Sequence, residues 1–556
     1  MSTGRELTRP MRRRRLGRWS LISGIAAVAL ATAPSASAAT TEFPGGYEGY
    51  HTYAEMVAEI DALVAARPGI VAKFSIGQSY HGRAIWAVKI SDHVGSDENE
   101  PEVLFEALHH AREHLSLEMS IYLVRLLVNN YRASPSSPLE RRVTDIVRSR
   151  EVFIVPMLNP DGAEFDIGAG QFHNWRKNRQ PIPGSDKIGV DLNRNWGYKW
   201  GCCGGSSGKP GSIIYRGPSA WVAPEVRALR DFVNSRVVAG RQQITEAISW
   251  HSYGELVMWP YGYTRADQPA SMSADDLAAL QALGRGMANR NGYTPQQLSN
   301  DYVLDGAASD WLYHEHRIMA FTIEMYPLDP SDVGDFYPPD DVIDQQASRN
   351  SDAMLWLLEQ ARCPYRVAGL DRNCGPLYDD FETGRGWTVD PTGTETATRG
   401  AWQRAVPQKT QNGAGVKQPS IVPSGEAALV TGAVAGANAS ANDVDGGTTS
   451  IQSPRFKLGA AGSSGWTLSF RYTFGHNAGA EAADFLRISV KGQASPLFVQ
   501  SGFAGNRNAV WTAASVNLDA YAGQTIRLLI EARDAGADSL IEAAVDDVRV
   551  YRAPAP

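Results

Sequence analysis

Three short apolar runs constrain this chain more than any other feature: residues 103–108 (VLFEAL), 244–250 (ITEAISW) and 318–323 (IMAFTI). Each has the length of a strand and little room for polar alternation, the pattern of strands covered on both faces. A fourth such run spans residues 152–158, and helical spacing marks residues 53–66 and 115–131. Buried strands alternating with helices predict an α/β fold built on an open sheet. The three runs also end alike, in His109, His110 and Glu113, in His251, and in Glu324. Ligands bind at the carboxyl ends of strands in such sheets, so these polar groups are the candidate chemistry.

Zinc takes imidazole nitrogen and carboxylate oxygen in a tetrahedral set, and a catalytic ion keeps one position for water beside three protein ligands. His110 and Glu113, three residues apart, supply two such groups, and a third has to come from elsewhere in the chain. The same residues read as His-x-x-Glu-His through His114, in which two histidines one helical turn apart bind zinc and the glutamate is the base. That reading needs the whole motif on a helix, whereas residues 103–108 run as strand up to His109. Residues 159–217 then break into Gly, Pro, Asn and Arg. A stretch that long is rarely an idle connection, and it holds WRKNR at 175–179 and VDLNRNW at 190–196.

The segments HHAREHLS, WRKNR, GVDLNRNW, AISWHSY, DYVLDGAASDW and FTIEMYP, in that order, resemble the motifs of the zinc metallocarboxypeptidases, the pancreatic carboxypeptidase A and B family and its bacterial carboxypeptidase T-like branch. The resemblance covers roughly residues 47–362. It implies a mixed eight-stranded sheet flanked by helices, and His110, Glu113 and His251 as ligands of one catalytic zinc. Position by position it implies Asp191 as the carboxylate orienting the first histidine, Glu324 as general base and Arg176 as oxyanion stabiliser. Asn193, Arg194 and Tyr302 would hold the terminal carboxylate of a peptide. His114 falls outside the ligand set, which disfavours the helical reading of the motif. The stretch from Tyr302 to Asp310 lines the pocket for the terminal side chain in this family, and Ser309 stands where B-like enzymes carry aspartate and A-like enzymes an apolar residue. With Ala307 and Ala308 beside it, the pocket is expected to favour neutral, apolar or aromatic residues, because a cation buried without a partner is costly. Asp305 is the exception: turned inward, it would accept a basic side chain.

The residue types suit that chemistry independently. Zinc lowers the pKa of bound water to about 7, and a carboxylate such as Glu324 can take its proton and return it to a leaving amine. A fixed guanidinium such as Arg176 beside the oxyanion is worth about 3 to 4 kcal/mol, and the planar fork of Arg194 matches a carboxylate. His109 and His114 read as packing neighbours of the site, His314 and His316 as surface groups on a helix. None of the motif positions is substituted, which favours an enzyme over a binding protein that presents peptides without cutting them. Hydrolysis of a cell-wall peptide, or of another amide bearing a free carboxylate, is open to the same machinery.

The N-terminus reads as an export signal: Arg12–Arg15 and Arg18, an apolar run at 21–30, then Ala36-Ser37-Ala38 before a cleavage point after Ala38. The apolar run falls short of a membrane span of about 20 residues, so a secreted product without a membrane anchor is expected. Residues 39–46 leave no room for the globular pro-segment of secreted relatives. Losing residues 1–38, with seven arginines and one glutamate, moves the formal charge from -7 to -13, which argues against nucleic acid as partner. Peptide or protein C-termini are the expected partners. Four cysteines in an exported chain point to disulfides. Cys363 and Cys374 are placed to close a small loop, whereas the adjacent Cys202 and Cys203 either bond to each other or seek separate partners.

From about residue 375 to 556 helical spacing disappears and short alternating strands follow, an expected β-sandwich resembling the jelly-roll modules of secreted bacterial hydrolases. Its acids Asp379, Asp380, Glu382, Asp443, Asp445, Asp546 and Asp547 either gather around calcium or are ordinary acidic turn residues.

Overall fold

A computed structural model describes residues 42–98, 100–238, 241–329, 331, 336–382, 384–423, 425–461 and 464–554. The expected export signal, residues 1–38, lies outside them. The first part of the chain is built on eight strands: β1 (Val71–Gln78), β2 (Ala84–Ile90), β3 (Glu102–Ala107), β4 (Glu151–Val155), β5 (Ile244–Ser252), β6 (Leu256–Trp259), β7 (Thr294–Gln297) and β8 (Met319–Met325). Their order across the sheet is β1-β2-β4-β3-β5-β8-β6-β7. The four central strands β4, β3, β5 and β8 are mutually parallel; β2 and β6 run antiparallel to them on either side, β1 is antiparallel to β2, and β7 is parallel to β6. The α/β reading therefore holds, as a mixed sheet. The central strands are buried along almost their whole length because helices cover both faces, which is why they appeared in the sequence as apolar runs.

Parallel register places the polar ends side by side. Ala107 pairs with Trp250 and His251 with Glu324, so β3, β5 and β8 deliver their last residues to one edge of the sheet. After β3 the chain turns through Leu108 at φ 59°, a left-handed backbone that a branched residue adopts at a cost of about 1 kcal/mol or more. The turn is held by the Leu108 N–H on Ser116 Oγ (3.2 Å) and by the Asn159 N–H on the Leu108 carbonyl (3.1 Å). Helix α2 (His114–Asn130) starts immediately afterwards, and Glu113 occupies its N-cap position without capping it. That carboxylate is committed elsewhere. Helix α1 (Tyr53–Ala66), by contrast, carries a full capping box from Thr52 and Glu55, worth about 1 kcal/mol.

His51 ties these two helices together. Its Nδ1 lies 2.7 Å from Glu118 on α2 and its Nε2 lies 3.0 Å from Glu59 on α1. Burial works against its charge, but the hydrogen bonds and attraction of Glu118 and then Glu59 outweigh it and push the pKa up to about 9. A pKa above the unfolded value of about 6.5 means stability present in full below that pH and lost as pH rises through the folded value. Raising the pH from 6 to 10 is expected to cost on the order of 2 kcal/mol, allowing for solvent screening. The His51→Gln variant should lose this part of the slope, as urea midpoints at the two pH values will read. An unchanged slope in the variant would place the titrating group elsewhere.

Beyond Cys374 the described strands form two large antiparallel sheets and two short two-stranded ribbons. One large sheet orders the strands Trp402–Ala405, Ala428–Thr431, Ile541–Pro554, Ser464–His476 and Thr512–Asn517. The other orders Thr388–Val389, Gly447–Gln452, Leu528–Asp534, Phe485–Val490 and Phe498–Ser501. Leu468, Phe470 and Val545 from the first meet Leu486, Ile488 and Ile530 from the second in one core, which makes this a β-sandwich. It packs on the first part of the chain through ion pairs between Arg471 and Glu100 and between Arg362 and Asp547 (3.1 Å).

The seven acids of this region do not converge on a common centre. Asp379 accepts from the Phe381 N–H and from Trp387 Nε1, and Glu382 from the N–H groups of Glu426 and Ala427. Asp380 pairs with Arg366, Asp445 with Arg399, and Asp443 accepts from the Ile541 N–H, while Asp546 receives the Asp547 N–H. Each of the seven has a protein partner, Asp547 through Arg362, and their placement gives calcium no support. Cys363 is joined to Cys374, and Cys202 is joined to its neighbour Cys203.

Candidate active site

At the edge where β3, β5 and β8 end, three buried side chains meet. His110 Nδ1 lies 2.7 Å from one Glu113 oxygen, His251 Nδ1 lies 2.8 Å from the other, and the two Nδ1 atoms are 3.1 Å apart. Two imidazole nitrogens facing each other across a carboxylate need a shared cation between them. The separations are close to the edge of roughly 3.3 Å expected for a tetrahedron with zinc–nitrogen bonds of about 2.0 to 2.1 Å. The donor set therefore fits zinc. Burial would raise the pKa of Glu113, but the attraction of His110 and His251 outweighs it and holds the carboxylate ionised. Burial pushes His251 down to about 4 against the opposing pull of Glu113, and a ring nitrogen ligates in its neutral form.

The outward nitrogens are also committed, and this fixes the rings. His110 Nε2 donates to Asp191 Oδ1 (3.2 Å). His251 Nε2 meets Ser249 Oγ at 3.1 Å, and its ring stacks on His109 with centroids 5.5 Å apart. His109 is itself fully buried and paired with Glu106 at 2.8 Å, a packing neighbour as the sequence indicated. Asp191 also receives Arg176 Nε and the Asn193 N–H, both at 3.0 Å. Burial opposes its charge, but Arg176 first, then His110 and Arg194, hold it well below the usual carboxylate range. His114, which opens α2, turns away to Asp166 (3.0 Å), so the two-histidine helical pattern is not formed.

These groups open onto a cleft of about 140 Å³ lined by His110, Glu113, Arg176, Asn193, Tyr302 and Glu324, with Tyr253 and Phe336 as aromatic wall. Glu324 Oε2 is enclosed without a hydrogen-bond partner among the described residues. Burial first and the charge of Glu113 next raise its pKa well above the ordinary carboxylate value, against the pull of Arg176. Arg194 is 1% exposed and gives three of its five donors to the protein: Nε to the Gly205 carbonyl (3.0 Å), Nη1 to the Asn193 carbonyl (2.7 Å) and Nη2 to the Tyr302 hydroxyl (3.1 Å). One N–H remains on each terminal nitrogen, a fork matched to a carboxylate. Tyr302 is 46% exposed, so the side chain that touches Arg194 is also the one able to move.

Ser309 sits differently from the sequence expectation, and the conditional reading of Asp305 is not realised. Ser309 is buried behind the cleft wall, where it accepts from Thr322 Oγ1 (3.2 Å), and Thr322 lines the cleft in its place. Asp305 does not turn into the pocket; it is fully buried, and its Oδ2 accepts from the N–H groups of Cys203 (3.0 Å) and Gly205 (3.1 Å). Besides Glu113 and Glu324, the cleft is lined by a third acid, Asp301, with Met258, Leu298 and Leu304. It stands one residue before Tyr302 in the motif DYVLDGAASDW, a position the pocket reading from Tyr302 onward left out.

A family model described as zinc carboxypeptidase matches residues 56–353. The chain is 45% identical over 338 residues to a zinc carboxypeptidase of Saccharothrix mutabilis subsp. capreolus, covering 60% of this chain and 74% of that relative. It is 32% identical over 280 residues to carboxypeptidase A2 of Mus musculus, covering 50% of this chain and 63% of that relative. Among solved structures, it is similar to carboxypeptidase A from Helicoverpa armigera at 26% identity and a TM-score of 0.49, over 58% of this chain and 75% of that one.

Proposed function

From the premise that this chain belongs to the zinc carboxypeptidase family, we propose that it is a secreted exopeptidase that removes the last residue from peptides and proteins, with residues 47–362 as catalytic unit, 375–556 as accessory β-sandwich and 1–38 as export signal. The observation that carries this reading is a cleft lined by His110 and Glu113 of the His110–Glu113–His251 group, by Glu324 and by Tyr302, with the buried Arg194 bonded to Tyr302 directly behind its wall. A metal site alone serves many hydrolases. A buried guanidinium fork beside it explains why the cut falls at a chain end. No helix among the described residues is long and apolar enough to cross a membrane.

When bound by His110, Glu113 and His251, zinc supplies a Lewis acid and lowers the pKa of a water to about 7. The chain's own residues do the rest. Arg194, with Asn193 and the Tyr302 hydroxyl, anchors the terminal carboxylate and sets which peptide bond lies over the site. Arg176, locked by Asp191, presents its guanidinium to the oxyanion that forms at the scissile carbonyl. Glu324 takes a proton from the attacking water and returns it to the leaving amine.

The pocket walls Met258, Leu298 and Leu304 favour neutral apolar or aromatic terminal side chains, while Asp301 gives the cleft one carboxylate. In a panel of blocked dipeptides differing only in the last residue, Phe and Leu are expected to be released faster than Arg, and Glu slowest, because it meets like charge. Chelator should stop all release. In Asp301→Asn the remaining cleavage at Arg should fall several-fold relative to Phe. An enzyme that releases Arg tenfold faster than Phe would overturn the apolar preference, and release of amino acids from C-terminally amidated peptides at full rate would overturn the exopeptidase reading.

A further inference from the structure

Asp305 has no part in the chemistry above, yet it is fully buried and attached to the chain a hundred residues earlier. Its Oδ2 receives the N–H groups of Cys203 (3.0 Å) and Gly205 (3.1 Å), and its Oδ1 is enclosed without a partner among the described residues. The turn it grips is tightened by the bond between Cys202 and Cys203. The turn also lies flat on residues 303–304: a Cβ on Gly205 would stand 2.3 Å from Leu304 Cα and 2.6 Å from the Val303 carbonyl oxygen, so only glycine fits. The carbonyl of that same Gly205 accepts Arg194 Nε at 3.0 Å. The neighbouring segments are joined as closely, with the Trp196 N–H on the Gly306 carbonyl (3.1 Å) and the Ala308 N–H on Asn193 Oδ1 (2.9 Å).

We propose that Asp305 and the linked Cys202–Cys203 turn form a positioning device for Arg194: the aspartate holds the turn, the turn presents the Gly205 carbonyl, and that carbonyl fixes the plane of the guanidinium fork. Arg194 is nearly enclosed, and its Nε contact is the one that sets rotation about the long axis of the side chain. A hydrogen bond to an ionised acceptor is about twice as strong as a neutral one, so a carboxylate at residue 305 grips two N–H groups more firmly than an amide would. Because the turn depends on the cysteine pair, opening that bond loosens the same grip, and carboxylate binding becomes sensitive to thiol reductants.

The proposal rests on Arg194 as anchor of the terminal carboxylate, and the test separates the two. Four proteins are compared for kcat and KM on a blocked dipeptide, and for inhibition by a short peptide acid and by its C-terminal amide: wild type, Asp305→Asn, the double variant Cys202→Ser/Cys203→Ser, and Arg194→Lys. Asp305→Asn and the double variant, each with Cys363–Cys374 intact, should raise KM and the inhibition constant of the acid about three- to tenfold, with kcat within twofold and the amide unaffected. Reductant should raise KM in wild type and leave the double variant where it stands. A lowered Tm with KM and the acid-to-amide ratio unchanged in both variants would mean a merely structural role and would sink the proposal. If Arg194→Lys itself leaves the acid-to-amide ratio unchanged, the anchor reading fails; if that ratio collapses in Arg194→Lys but stays fixed in the other two, only the positioning device fails.

Discussion

His251→Ala is expected to retain no zinc after dialysis and to hydrolyse peptides at less than about a thousandth of the wild-type rate, whereas wild type should retain one ion per chain. His251 supplies one of three protein donors, and its Nδ1 stands 2.8 Å from Glu113 and 3.1 Å from His110. Without it, two donors face a cavity, and a site with two protein ligands holds zinc far less tightly than one with three. Glu113 also loses one of the two imidazoles that keep it ionised against burial. The ring is buried and stacked on His109, so its removal also costs packing energy, about 2 kcal/mol by analogy with other large-to-small changes. Circular dichroism separates that loss from unfolding. Metal analysis by mass spectrometry together with the rate on a blocked dipeptide decides the outcome: one zinc per chain and full activity in the variant would remove His251 from the metal centre.

How much of this site was legible in the sequence follows from which contacts make it. The strand ends at His110, His251 and Glu324 were readable because parallel strands buried on both faces appear as apolar runs that stop where polar groups begin. That these three ends come together depends on the pairing of β3 with β5 and of β5 with β8, between residues separated by more than seventy positions, and no local pattern encodes it. The resemblance to a family supplied the grouping. Boundaries slipped by a residue or two, as at β5, which runs on through His251 to Ser252 and so carries a metal-ligand candidate inside the strand rather than after it.

Asp305 illustrates the opposite limit. Its place beside the pocket left open whether it turned inward to meet a basic side chain; its direction is set by the N–H groups of Cys203 and Gly205, and a one-dimensional reading cannot see that competition. The acids of the β-sandwich fail for the same reason: Asp380 is taken by Arg366 and Asp547 by Arg362, cations that the sequence places in the preceding region. Charged residues choose partners by three-dimensional proximity, and a count of carboxylates in a segment says little about where they point.

Glu324→Gln is expected to keep the zinc, to bind peptides within a few-fold of wild type, and to lose about a thousandfold in kcat, within the range general base catalysis contributes. The amide is nearly the size of the carboxylate, so β8 and its pairing with His251 are undisturbed and the donors to the metal are untouched. What the variant lacks is a group that can carry a proton. In wild type, burial and then the charge of Glu113 raise the proton affinity of Glu324, while Arg176 opposes them. Those opposing influences make it a stronger base than an exposed glutamate and still allow it to give the proton back. The enclosed Oε2 has no hydrogen-bond partner among the described residues, which leaves it for a water or for the leaving amine. Single-turnover rates read beside an independent measure of peptide binding check the split between the two. Normal turnover in Glu324→Gln would mean that another group moves the proton, and a large loss of peptide affinity with kcat preserved would make Glu324 a binding residue instead.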